Sequence, residues 1–78
     1  MSAVLLREEK VREKVVENRK QLGFRRSEVV VQLQLLGLDM TYDMYKKFEN
    51  GRRGLTAIEF LFLSKILNID AGAMVSAI

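Results

Sequence analysis

Eight of the chain's cations fall between residues 19 and 53: Arg19, Lys20, Arg25, Arg26, Lys46, Lys47, Arg52 and Arg53. The same stretch holds four acids and so carries +4, whereas residues 1–18 balance and residues 54–78 carry −1. Guanidinium and ammonium groups are donors without acceptors, suited to carboxylate and phosphate oxygens. A cationic middle is what one face directed at a polyanion would need, although the overall charge of only +3 also suits an ordinary solvated surface. Other chemistries lack their residues. With no histidine and no cysteine, neither Ser–His nor Cys–His nucleophile pairs can be assembled. The usual zinc, haem and iron–sulfur ligand sets are missing for the same reason. No glycine loop of the phosphate-cradling type occurs, so no enzymatic activity, cofactor, metal or small-molecule ligand is expected.

These cations must be positioned by a small scaffold. A chain of 78 residues is at most one domain, and such short chains bury only about 60% of their unfolded surface. Without cysteines there is no disulfide, and without prolines the chain reads as a cytoplasmic helical protein. The opening "MSAVLLREEK" has too short an apolar run for a signal peptide, and nothing approaches the roughly 20 residues of a membrane span. Residues 1–10 are expected to extend the first helix or to be disordered, and residues 11–78 to form the domain.

Five short helices are expected. Residues 7–22 are rich in helix formers, place Val11, Val15 and Leu22 near one face, and stop at Gly23. "SEVVVQLQLLG" is ambiguous. Val31, Leu33 and Leu35 alternate as in a strand, but Val29, Leu33 and Leu36 make a helical stripe. A lone strand would have no partner, which favours a helix over 27–36 with Ser27 as N-cap and Gly37 as its end. Thr41 is a good N-cap for a third helix reaching Asn50, stapled by Met40 and Tyr45 and burying Tyr45 and Phe48. Thr56 and Glu59 form a capping box stapled by Leu55 and Phe60, opening a fourth helix to Leu67. Asn68 supplies a left-handed exit, and Asp70 caps a short fifth helix.

The second and third helices, joined through Gly37–Thr41, follow the grammar of a helix-turn-helix. Tyr42, Asp43, Met44, Lys46, Lys47 and Asn50 would then face outward. The first turn, Tyr42-Asp43-Met44, would meet base edges, while Lys46, Lys47, Arg52 and Arg53 suit phosphates. "Glu49-Asn50-Gly51-Arg52-Arg53" after a capped helix, followed by "Thr56…Glu59-Phe60…Leu63-Ser64-Lys65-Ile66-Leu67-Asn68-Ile69", resembles the phage-repressor/Cro-type helix-turn-helix family of bacterial and phage transcriptional regulators. "Arg19-Lys20-Gln21-Leu22-Gly23-Phe24" resembles the end of that family's first helix. The likeness spans about residues 11–70. It implies an all-α bundle of five short helices, a lambda-repressor-like domain, binding double-stranded DNA as a homodimer. It also implies that Glu49 pairs with Arg19. Thr41, besides capping the reading helix, and Asn50 are expected among the DNA-binding residues.

Three features depart from that pattern, one being that the second helix and its turn, "LQLLGLD", exceed the family's usual spacing. Arg25 and Arg26 stand where the family places Thr or Ser and then Gln at the start of the second helix. They suit phosphate or guanine and not capping. Asp43 puts a negative charge at the reading end of the third helix, where it can accept from cytosine or simply favour the helix N-terminus. Tyr42 is either a surface ring packed on the second helix or a contact to the duplex. The fourth helix is apolar nearly all round. Its Ile58, Phe62 and Ile66, joined by Met74, Val75 and Ile78, suggest a dimer interface, with coverage by the fifth helix and the N-terminal segment as the alternative. The same apolar face would serve a protein-interaction module, of antitoxin or antirepressor type, that does not bind DNA.

Overall fold

A stepwise change from one capped helix to the next builds this molecule, a computed structural model that describes residues 9–77. The helices are α1 (Glu9–Gln21), α2 (Arg26–Leu35), α3 (Tyr42–Glu49), α4 (Ala57–Leu67) and α5 (Ala71–Ala77). Expectations for residues 1–8, for Ile78 and for the side chain of Val75 lie outside the described residues. Thr41 Oγ1 accepts the Met44 N–H at 3.1 Å, so one orphan donor at the start of α3 is satisfied. The Thr56–Glu59 box closes in both directions, at 3.1 Å and 2.9 Å. Asp70 Oδ1 accepts from the Ala73 N–H at 3.0 Å, and Asn68 takes the left-handed exit with φ 57°.

α2 starts differently from the expectation. Ser27 lies inside the helix, and Arg25 occupies the N-cap position without its side chain accepting a bond. Glu28 compensates by accepting the Arg25 N–H at 2.8 Å, the returning half of a capping box. The turn after α2 spans residues 36–41, and Gln34 Nε2 donates to the Met40 carbonyl at 2.9 Å, tying it down.

The core is one cluster in which α4 packs on α1 and α2, and α3 packs on both as well. Val11 and Val15 come from α1, Val29, Val30 and Leu33 from α2, Tyr45 and Phe48 from α3, and Phe60, Leu63 and Leu67 from α4. Both staples hold, because Met40, Tyr45, Leu55 and Phe60 are all buried. Leu22 and Leu36 depart from the expected inward faces. Each lies at the end of its helix, where the backbone turns away from the core, and each is exposed.

Among the described residues, no helix is long and apolar enough to cross a membrane. The helix-or-strand ambiguity in α2 is resolved by phase. Leu33 is fully buried and Leu35 is 75% exposed, whereas a strand would turn both to one side. Leu33→Ala is therefore expected to cost about 2–5 kcal/mol and Leu35→Ala within about 0.5 kcal/mol, measured by urea denaturation. Equal losses at both positions would contradict this packing.

Candidate functional site

The outward face of α3 is determined by what faces inward. Tyr45, Phe48 and Glu49 are buried, so at 100° per residue Asp43, Lys46, Lys47 and Asn50 turn to solvent. Glu49 is an acid with only 2% of its side chain exposed, and three bonds hold it there. Arg19 donates to both of its oxygens, Nε at 2.6 Å and Nη2 at 3.0 Å. Arg26 Nε adds a third bond at 2.9 Å from the start of α2. The remaining Arg19 nitrogen, Nη1, donates to the Phe24 carbonyl at 3.0 Å. The Arg19–Glu49 pair implied by the resemblance is therefore present, with Arg26 as an additional member.

The electrostatics follow from these contacts. Burial alone would raise the Glu49 carboxyl, but the bonds from Arg19, with the nearby Tyr45 hydroxyl and the bond from Arg26, hold it below the usual carboxylate range. Burial, followed by the neighbouring Glu49 charge, pushes the Tyr45 phenol far upward. Its hydroxyl is buried beside the ion pair without a partner in good hydrogen-bond geometry. Arg26 has its charge reinforced by Glu49 first and Tyr42 to a lesser degree. Two guanidinium groups on one carboxylate leave this cluster with a net positive charge.

The expected contact residues do not all play one role. Lys46, Asn50 and Arg52 are exposed on α3 and the loop after it, and Tyr42 is half-exposed at the edge nearest Arg26. Lys47 meets Asp43 at 3.0 Å, an exposed i, i+4 pair of little energetic weight that can be exchanged for another anion. Arg25 is exposed at the start of α2, and Thr41 is committed to capping. Met44 is half-buried against the core and presents only part of its side chain. Arg53, expected at a phosphate, is instead engaged internally. Its guanidinium donates to both Glu59 oxygens at 3.0 Å and to the Gly54 carbonyl at 2.9 Å. Glu59, which burial would raise, is held low by Arg53 and by the Thr56 backbone.

Gly51 follows the C-cap of α3, and its φ of +78° lets the Arg52 N–H return to the Lys47 carbonyl at 2.8 Å. Arg12 lies over this glycine, a neighbour the sequence reading did not identify. The signal was present in the spacing: Arg12 precedes Arg19 by two helical turns, on the side of α1 that Arg19 turns toward α3.

The apolar face expected at a dimer contact divides in two. Phe62, Ile66 and Met74 are half-buried and pack against the core, whereas Ile58 remains 54% exposed. Leu61, not anticipated, is exposed beside it. α5 packs on α4, and the N-terminal segment named with it as an alternative cover lies outside the described residues.

No family model matches this chain, and no curated protein or solved structure is significantly similar to it.

The geometry around Glu49 makes a pH prediction. Glu49 stays ionised when folded at pH values where the unfolded chain would take up a proton. Its contribution is thus complete above about pH 4.5 and is lost as the pH falls through its lower folded-state value. Glu49→Gln should be less stable at neutral pH, on the order of 3 kcal/mol, with Arg19 left buried beside a neutral group. Between pH 7 and 3 it should lose less stability than the parent, with Glu59 supplying the remainder. Denaturation midpoints across that range test this, and parallel pH curves would contradict it.

Proposed function

We propose that this chain is a transcriptional regulator, of repressor type, that binds double-stranded DNA with the outward face of α3 lying in the major groove. The single observation carrying the reading is that Lys46, Lys47 and Asn50 are exposed on one side of a capped helix, continuous with exposed Arg52. The turn between α2 and α3 is tied by Gln34, and Glu49 anchors the far end of α3, so the helix is presented rigidly. The ordered motif from Arg19 to Ile69 supports placing it with the phage-repressor/Cro-type regulators, for which a homodimer on a two-fold operator is the corresponding arrangement.

Roles divide by position. Lys46, Lys47 and Arg52 engage phosphates, with Arg25 and Arg26 at the start of α2 on the neighbouring backbone. Tyr42, Asp43 and the exposed part of Met44 lie at the reading end. Arg53 supports the loop through Glu59 and makes no contact itself. Repression follows by occupancy, with no cofactor.

A second reading has one observation in its favour: Ile58 and Leu61 leave an apolar strip on α4 that suits a protein partner. A gel shift with random duplex at low salt separates the two, because a DNA binder retains non-specific affinity there. Lys46→Ala with Arg52→Ala should weaken binding to every duplex and reduce the log–log salt slope by about 0.9 per lost contact. Tyr42→Ala should change which sequences are recovered from a random pool. Loss of the same size on all sequences from both sets would contradict the division of roles, and no binding at low salt would favour the protein-interaction module.

A further inference from the structure

Arg12 carries an inference that deepens, and rests on, the DNA-binding reading. Arg12 Cζ and Nε lie 3.7 Å, and Nη1 3.9 Å, from the point a Cβ on Gly51 would occupy. Three atoms of a planar group almost equidistant from one point mean that the guanidinium turns its face to the side of Gly51 where a side chain would stand. The absence of a side chain at residue 51 thus leaves room for this cation beside the end of α3. Its recorded partner is Glu9, at 3.1 Å from Nη2, an exposed pair within α1. Such pairs are weak and readily exchanged. The next residue in the loop is Arg52, exposed and held by its backbone bond to Lys47. Between the two cations, residue 51 contributes no side chain.

We propose that Arg12 and the Gly51–Arg52 loop form a phosphate site on the α1 side of the domain, which takes a phosphodiester oxygen of the DNA backbone flanking the groove that α3 enters. The site adds α1 to the contact surface and fixes how far the domain rolls about the α3 axis. Glu9 acts as its competitor: in the free protein it occupies one edge of the guanidinium, and a phosphate displaces it.

The test uses fluorescence anisotropy of the full chain on a labelled duplex over a salt series, with Arg12→Ala, Glu9→Gln and the double variant. Arg12→Ala should weaken binding to any duplex about five- to tenfold near 0.1 M salt, and shrink the slope by about 0.9. Glu9→Gln, which leaves the Arg12 side chain unaltered, should tighten binding, and that gain should disappear in the double variant. Thermal melts identify any loss due to folding, and the Glu9→Gln comparison stands apart from it. An unchanged slope in Arg12→Ala, or a Glu9→Gln gain that persists without Arg12, would overturn the site while leaving α3 binding intact. Failure of the parent chain to bind duplex at low salt would overturn both.

Discussion

The buried carboxylate of Glu49 governs the arrangement of this domain. A charge removed from water must be paired and hydrogen-bonded, and here the partners come from two other helices. Arg19 on α1 takes both oxygens, and Arg26 at the start of α2 takes one of them again. Because Glu49 is the last residue of α3, satisfying it fixes the rotation of that helix. Once Glu49, Tyr45 and Phe48 are inside, the helical repeat leaves Asp43, Lys46, Lys47 and Asn50 nowhere to point but outward. The exposed cations on α3 are thus a consequence of a buried anion.

The chain termini of the helices convert that orientation into a presented surface. The left-handed residue at Gly51 returns the backbone onto α3, and Arg53 turns back to Glu59, which also closes the Thr56 cap. The connection from α3 to α4 is therefore bound at both ends, with Arg52 projecting between. Arg53 illustrates how two adjacent arginines separate in role: one meets an acid across a short loop and is consumed by the fold, while the other remains in solvent.

Apolar residues outside the core follow a similar division. α4 is apolar on most of its circumference, yet Phe62 and Ile66 lie at the margin of the core and Met74 of α5 packs there with them. Ile58 and Leu61, away from that margin, stay exposed. A single small core has too few facing surfaces to cover a helix on every side, so this strip is what the fold itself leaves uncovered.

Local chemistry determined much of this protein by sequence alone. Thr41, Thr56, Glu59, Asn68 and Asp70 define their helix ends because a cap acts within one turn, and the spacing of Tyr45 and Phe48 orients α3 without reference to any other element. The Arg19–Glu49 pair was expected only through the motif that the chain resembles. Tertiary structure decided the rest. Nothing local distinguishes Arg53 from Arg52, or Phe62 from Ile58, until a neighbouring helix supplies an acid or a core to one member of each pair. Arg12 belongs to this second group: its position over Gly51 arises from the packing of α1 beside the end of α3, an approach between residues 39 positions apart. Capping and periodicity depend on neighbours along the chain, whereas ion pairing and burial depend on neighbours in space.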